Sequence, residues 1–312
     1  MTRRRTPIYV ESRIRAPMDA LWDATQDPVR HQRWDVRFGE IEYLPRVDGE
    51  PQQFRYATAV APGLTIAGTR ESLGDRDRSD GSRWSGLKFW ANDWRSLIDA
   101  GAGYWRYVPT EDGIRFLTRY DYRPRWGRAG EFLDRVLFRP LFGWATAWSF
   151  DRLRLWLEDG TPPEHSRNQA IAHAAAAAGV AGVWVYHGLV PKLWKVDADE
   201  LTFWTVIGAG AGVARAAVRA TGLAEIAYGV ATVRWSHRRW PFVLTLAAMP
   251  ALAIGAGVTD RRLLTRAFNP VSLNFATSAL AVVALATRSG RPSGRVPLRT
   301  APDRQPDVGD MP

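Results

Sequence analysis

The stretch that decides how this chain is organised is NQAIAHAAAAAGVAGVWVYHGLVP, residues 168–191, which runs from Arg167 to Lys192 without a single Lys, Arg, Asp or Glu. A helix needs about 20 mainly apolar residues to cross the hydrocarbon of a bilayer, and this run supplies them. Two more charge-free runs follow, at 240–259 and 267–287. Helices on the surface of a soluble domain keep a polar face, so the second half reads as a membrane domain. A fourth candidate, from Val213 to Val233, carries Arg215, Arg219 and Glu225. Its two arginines lie one turn apart near its start, where they can snorkel to the headgroups. The pattern predicts an all-α four-helix transmembrane bundle with spans near 169–188, 213–233, 240–258 and 271–287. A short amphipathic helix from Glu200 to Ile207 and a turn at Gly208–Gly212 precede the second span.

The first half has a different composition. Residues 1–160 hold 26 Lys and Arg against 23 Asp and Glu, with ten of the 15 tryptophans, whereas residues 161–312 hold 16 against 9. Two domains are therefore expected, at 1–160 and 161–288, with an Arg-, Pro- and Gly-rich tail at 289–312 that should be disordered. The net charge of +10 suits a nucleic-acid binder, but its distribution does not. Arginines alternate with carboxylates in the first half, and in the second they cluster between apolar runs, as at Arg234, Arg238 and Arg239. That is the pattern of membrane-flanking charge. No nucleic-acid partner is expected. With no cysteine in the chain, disulfides, thiolate metal sites and cysteine catalysis are excluded.

Residues 1–5, MTRRR, are not followed by the apolar core of a secretory signal. The N-terminal domain is thus expected in the cytoplasm of a multi-pass protein of the cell (inner or plasma) membrane, with the C-terminus on the same side. The arginine and lysine bias of the loops points the same way.

Within residues 1–160, Ile8, Val10 and Ile14 alternate with polar residues as in a strand. A helix starts at Ala16-Pro17 and runs toward Trp34. Strand patterns follow at 38–45, 53–60, 64–73, 83–91, 102–109 and 113–122, the last two joined by a turn at Asp112-Gly113. Arg128–Leu157 then has helical spacing, with Pro140 expected to kink it. A long antiparallel sheet wrapped on one long helix, an α+β domain, leaves an apolar space between them.

This order, with IYVESRIRAPMDALWDATQDP at 8–28, RFLTRYDYRP at 115–124 and RLRLWLEDG at 152–160, resembles the SRPBCC or START-like superfamily, in particular its polyketide cyclase/dehydrase-type members. The resemblance implies a helix-grip fold with a cavity for a hydrophobic ligand. The second half resembles the DoxX-like family of small four-helix membrane proteins, through WVYHGLVPKLW at 184–194, GLAEIAYG at 222–229 and FNPVSLNFA at 268–276. That family's best-known relatives are subunits of quinone-linked oxidoreductases, so this resemblance carries architecture further than reaction.

Two groups of residues are candidates for a site. In the first domain Trp84, Lys88, Trp94, Tyr104, Arg119 and Tyr120 are expected to line the cavity, unless the aromatics are plain core packing. In the membrane domain Glu225 sits inside a span, where a carboxylate is costly and takes a partner. His187, Lys192, Asn269 and Asn274 are the candidates to surround it, for a ligand head, a proton path or simple adhesion between helices. His173 reads as a tolerated polar residue. No histidine spacing fits a metal, no glycine pattern fits a phosphate, and no cofactor is implied. The sequence therefore favours a membrane-anchored binding or transfer protein for a hydrophobic small molecule or lipid. The alternatives are a membrane-bound enzyme, of cyclase/dehydratase type or as a subunit of a quinone-linked oxidoreductase, and a structural subunit packed on a membrane-protein partner.

Overall fold

The computed structural model describes residues 6–45, 50–61, 64–267 and 269–302. It separates into two compact units, one reaching to Arg167 and including the chain from Pro292 onward, the other Asn168–Arg291.

The first unit is built on one seven-stranded antiparallel sheet. Its strands are β1 (Ile8–Ile14), β2 (Glu40–Tyr43), β3 (Gln53–Ala61), β4 (Leu64–Asp77), β5 (Arg83–Trp90), β6 (Ile98–Thr110) and β7 (Gly113–Pro124), in the order β1-β7-β6-β5-β4-β3-β2. Because β1 pairs with β7 and not with β2, the chain must cross from one sheet edge to the other, and it does so through two helices, α1 (Met18–Gln26) and α2 (Pro28–Trp34). The sequence pattern suggests one helix there. Asp27-Pro28 divides it, since Pro28 donates no N–H and the Asp27 carboxylate caps the new start by accepting from the Arg30 amide at 2.8 Å.

After β7 come α3 (Gly127–Leu133), a π turn (Asp134–Phe138) and α4 (Arg139–Asp159). Pro140 has no N–H for the carbonyl of Val136, and the helix changes register there instead of continuing as one α-helix. The α4 helix closes the core: Phe150 stacks on Phe116 at 4.5 Å, and both are fully buried with Trp34. This sheet gripping one long helix is the helix-grip arrangement.

The described part of the tail departs from the expected disorder. The Glu11 amide donates to the Leu298 carbonyl at 2.9 Å and the Leu298 amide to the Glu11 carbonyl at 2.8 Å, while the Ser293 amide donates to Asp151 Oδ2 at 2.7 Å. The cause is that β1 is an edge strand, whose outer N–H and C=O groups accept another extended segment whatever its composition. Residues 303–312 lie outside the described residues.

The second unit contains α5 (Pro163–Leu189) from Asn168 onward, a π turn (Val190–Trp194), α6 (Ala198–Val206), α7 (Ala211–Arg234), α8 (Trp240–Thr259) and α9 (Pro270–Ala286). Two segments are long and apolar enough to cross a membrane, Pro163–Trp194 and Trp240–Thr259. The α6–α7 pair passes only as a unit, bent by 117°, and α9 is apolar but has 17 residues. At 1.5 Å per residue α9 covers about 25 Å, less than a hydrocarbon core of about 30 Å. By length and composition the four expected spans become two, or three with the bent pair. The charges Arg215, Arg219 and Glu225 in α7 and the shortness of α9 are the reasons.

Candidate functional site

A mainly apolar cavity of about 250 Å³ lies in the first unit between the inner face of the sheet and the α3–α4 side. Strand alternation makes its wall. Leu87 and Phe89 point in while Lys88 between them is exposed, and Thr118 and Tyr120 point in while Arg119 is exposed. Leu137, Phe138 and Phe142 close it from the helical side. Of the residues picked from sequence, Tyr104 and Tyr120 border the cavity. Trp84, Lys88, Trp94 and Arg119 do not. Trp84 stacks on the Tyr104 ring at 6.3 Å, and Trp94 is 74% exposed. Their aromatic or basic character suggested a pocket, but Trp94 lies in the connection between β5 and β6, and for Trp84, Lys88 and Arg119 strand phase decides which face the side chain occupies, so that a one-residue error in phase reverses it.

The polar part of the wall includes Arg37 and Arg70, neither of which the sequence singled out, and Arg37 is held by Asp35 and Thr146. Asp35 is fully buried and accepts from Arg37 Nε at 2.8 Å and Nη2 at 2.5 Å, with His31 Nε2 at 3.2 Å. Arg37 Nη1 also donates to Thr146 Oγ1 at 3.1 Å, and the Tyr120 hydroxyl lies 2.8 Å from the same oxygen. Burial opposes ionisation of Asp35, but the adjoining guanidinium outweighs it and holds the carboxyl below the usual range. Burial likewise pushes His31 down, against the pull of Asp35, so its imidazole is neutral at pH 7.

Arg70, on β4, is different. It is 8% exposed and lies over the rings of Phe38 at 4.0 Å and Tyr56 at 4.7 Å. Among the described residues no carboxylate is within ion-pair distance, and its Nε is buried without a hydrogen-bond partner. Burial pushes its pKa down to about 10, which leaves it charged at neutral pH. Gly68, two residues earlier on β4, makes this packing possible: a Cβ there would strike the Tyr56 hydroxyl. A smaller cavity of about 230 Å³ with more polar walls, including Gln26, Gln52 and Asp75, lies on the other side, and Arg70, Leu87 and Trp105 border both.

At the mouth, Trp126 adopts φ 66°, the left-handed region that side chains rarely enter, and donates its indole N–H to the Trp94 carbonyl at 3.2 Å. Leu133 and Leu137 line the cavity and remain 39% and 58% exposed, so the helical wall offers an apolar lip to the outside.

In the second unit, α5 and α7 approach backbone to backbone, because a Cβ at Gly222 would lie 2.6 Å from the Gly188 carbonyl. Lys192 is one turn beyond Gly188, and Glu225 is one turn beyond Gly222. The close crossing thus brings Lys192 Nζ to 3.1 Å from Glu225 Oε2, and Glu200 Oε1 completes the cluster at 2.8 Å. Pro191 leaves the His187 carbonyl without its helical donor, and Lys192 Nζ takes that place at 3.4 Å. His187 therefore joins through its backbone. The two asparagines stand apart from the cluster: Asn269 caps α9 by accepting from the Ser272 amide, and Asn274 Nδ2 donates to the Met249 carbonyl at 2.9 Å. Glu200, in the helix before α7, was not among the candidates. His173 does more than the sequence suggested. Its ring nitrogens lie 2.9 Å and 3.0 Å from the carbonyls of Ala284 and Ser236, so it ties α5 to α9 and to the chain after α7. Among the described residues no group of His, Asp and Glu has the arrangement of a metal site.

Residues 181–282 match the DoxX-like family. The chain is 43% identical over 186 residues to the uncharacterized membrane protein YndG of Bacillus subtilis (strain 168), an alignment that covers 59% of this chain and 69% of YndG. Among solved structures it is similar to TTHA0849 from Thermus thermophilus, with 18% identity, a TM-score of 0.38 and coverage of 50% of this chain and 99% of that one. It is also similar to a STAR-related lipid transfer protein from Xanthomonas axonopodis, with 19% identity, a TM-score of 0.37 and coverage of 48% and 84%. The Zhui aromatase/cyclase from Streptomyces sp. R1128 gives 17% identity, a TM-score of 0.36 and coverage of 47% and 95%.

Proposed function

Because this chain belongs to the family of the membrane protein YndG, and joins a START-like unit to a DoxX-like one, we propose that it is a membrane-anchored binding or transfer protein for a hydrophobic small molecule or lipid. The observation that carries this reading is the apolar cavity of about 250 Å³ in the first unit. Specific ligand sites are concave and mostly apolar with a few placed polar groups, and that describes this one. The apolar lip of Leu133, Leu137 and Trp126 suits uptake of a ligand delivered from a bilayer.

The reading includes four crossings by α5, α7, α8 and α9 and a cytoplasmic first unit. Pairing of Leu298 with Glu11 supports an even number, since both ends of the intervening chain are then on one side. The arginines at 234, 238 and 239 and from 288 onward support the cytoplasm as that side. Reporters placed after residues 160 and 290 are both expected to read cytoplasm, and opposite sides would end this topology. For the ligand, native mass spectrometry of the full chain should find a hydrophobic small molecule bound, and Ile66→Trp, which fills the cavity, should lose it. A wild-type chain that carries and takes up no apolar ligand would refute the function.

A further inference from the structure

Three arginines are buried among the described residues of the first unit: Arg37, Arg70 and Arg152. Two have their donors engaged. Arg37 is paired with Asp35, and Arg152 donates to the carbonyls of Trp34 at 2.9 Å, Arg33 at 2.7 Å and Pro163 at 2.9 Å. Among the described residues Arg70 has neither counter-ion nor acceptor, only the faces of aromatic rings. A guanidinium carries five N–H donors and is costly to bury unsatisfied. It also borders the cavity. We infer that the ligand is an acidic amphiphile, whose anionic head, a carboxylate or a phosphate, pairs with Arg70 while its apolar body fills the cavity. This rests on the ligand-binding reading above and adds the chemical class.

The surroundings favour an anion over a merely polar head. Asp35 is already neutralised by Arg37, and His31 is neutral, so Arg70 is left as the uncompensated charge of the inner wall. On the far side of Arg70 the second cavity contains Asp75, whose carboxylate disfavours an anion there. The head therefore stops at the wall formed by Arg70, and the body extends back among Ile66, Leu87, Phe89 and Phe142. The planar fork of an arginine matches a carboxylate or a phosphate in two parallel hydrogen bonds. Lysine in its place would keep the charge and lose that match.

The test uses the full chain in nanodiscs, titrated calorimetrically with octanoate, octyl phosphate and octanol, with empty nanodiscs subtracted. The wild type should bind one or both anions at least tenfold more tightly than octanol, as expected for a charge-assisted pair formed out of water. Which anion binds more tightly tells a fatty acid from a phosphorylated lipid. Arg70→Met should still bind octanol, showing an intact cavity, and should lose the preference for the anions. Arg70→Lys should fall between. Three results would overturn the inference: Arg70→Met retaining the full anion preference, octanol binding the wild type as tightly as both anions, or inorganic phosphate alone competing as well as the octyl anions, which marks a small-anion site. If none of the three octyl compounds binds the wild type, the ligand-binding reading itself fails, which is a distinct outcome.

Discussion

Two methionine substitutions in the same wall should differ in their effect on stability: Arg37→Met should lose it and Arg70→Met should not. Arg37→Met removes the partner of a fully buried carboxylate, Asp35, which accepts two of the Arg37 side-chain N–H groups. Breaking a buried pair in this way costs about 3–5 kcal/mol. In a unit of this size each kcal/mol lowers the melting temperature by about 2–4 °C, so the expected drop is about 6–20 °C. Arg70→Met removes a charge that has no ion-pair partner among the described residues. The desolvation of that charge, several kcal/mol, is relieved. Against it stand the contacts with Phe38 and Tyr56, each worth up to about 2 kcal/mol when desolvated. Between these the change lies from zero to a gain of about 2 kcal/mol. The assay is thermal unfolding of the delipidated full chain in detergent, followed by tryptophan fluorescence, which ten tryptophans in residues 1–160 make a report on this unit. An Arg70→Met protein destabilised as much as Arg37→Met would refute the reasoning, because Arg70 would then be a structural residue and not a site left open for a ligand.

The pH dependence of the same unit has a definite sign. Burial holds His31 below its ordinary value, so between that lowered value and about 6.5 the unfolded chain binds a proton that the folded one refuses. Stability is then lost as the pH falls below about 6.5, and denaturant titrations of His31→Phe should show a flatter profile there. Asp35, held low by Arg37 against burial, contributes stability that is present above about 3.9 and lost as the pH falls below it, and Asp35→Asn should abolish that acid limb. In the membrane unit, Lys192→Met leaves Glu200 and Glu225 facing each other and should sharply lower the yield of monodisperse protein after heating, whereas Glu225→Gln, which keeps the Lys192–Glu200 pair, should be mild. Deleting residues 292–312 should make the Glu11 amide exchange with solvent on the timescale of local fraying and destabilise the unit by about 2–4 kcal/mol, roughly one for each tail hydrogen bond lost.

Hydrophobic pattern alone determined the division of this protein and most of its elements. Period-two alternation marked the strands, and charge-free runs marked the helices of the second half, because both signals arise from which face of a local element meets water or lipid. The carboxylate in α7 could be flagged for the same reason, since a charge in an apolar run demands a partner, and Lys192 is that partner. What the sequence could not give was anything set by contacts between distant segments. Composition made residues 292–302 look disordered, and only the vacant edge of β1 gives Leu298 a place. Composition also made Lys88 and Arg119 look like cavity cations, and only the phase of the sheet turns them outward. Conversely, Arg70 is one of 39 arginines, with nothing in its neighbours to mark it. The tertiary structure decided that it is buried, that Asp35 and Arg37 satisfy each other, and that Arg70 has no such partner among the described residues. A buried charge is identified by what surrounds it in three dimensions, and that environment comes from β3, β4, β5 and the segment after α2, brought together only by folding.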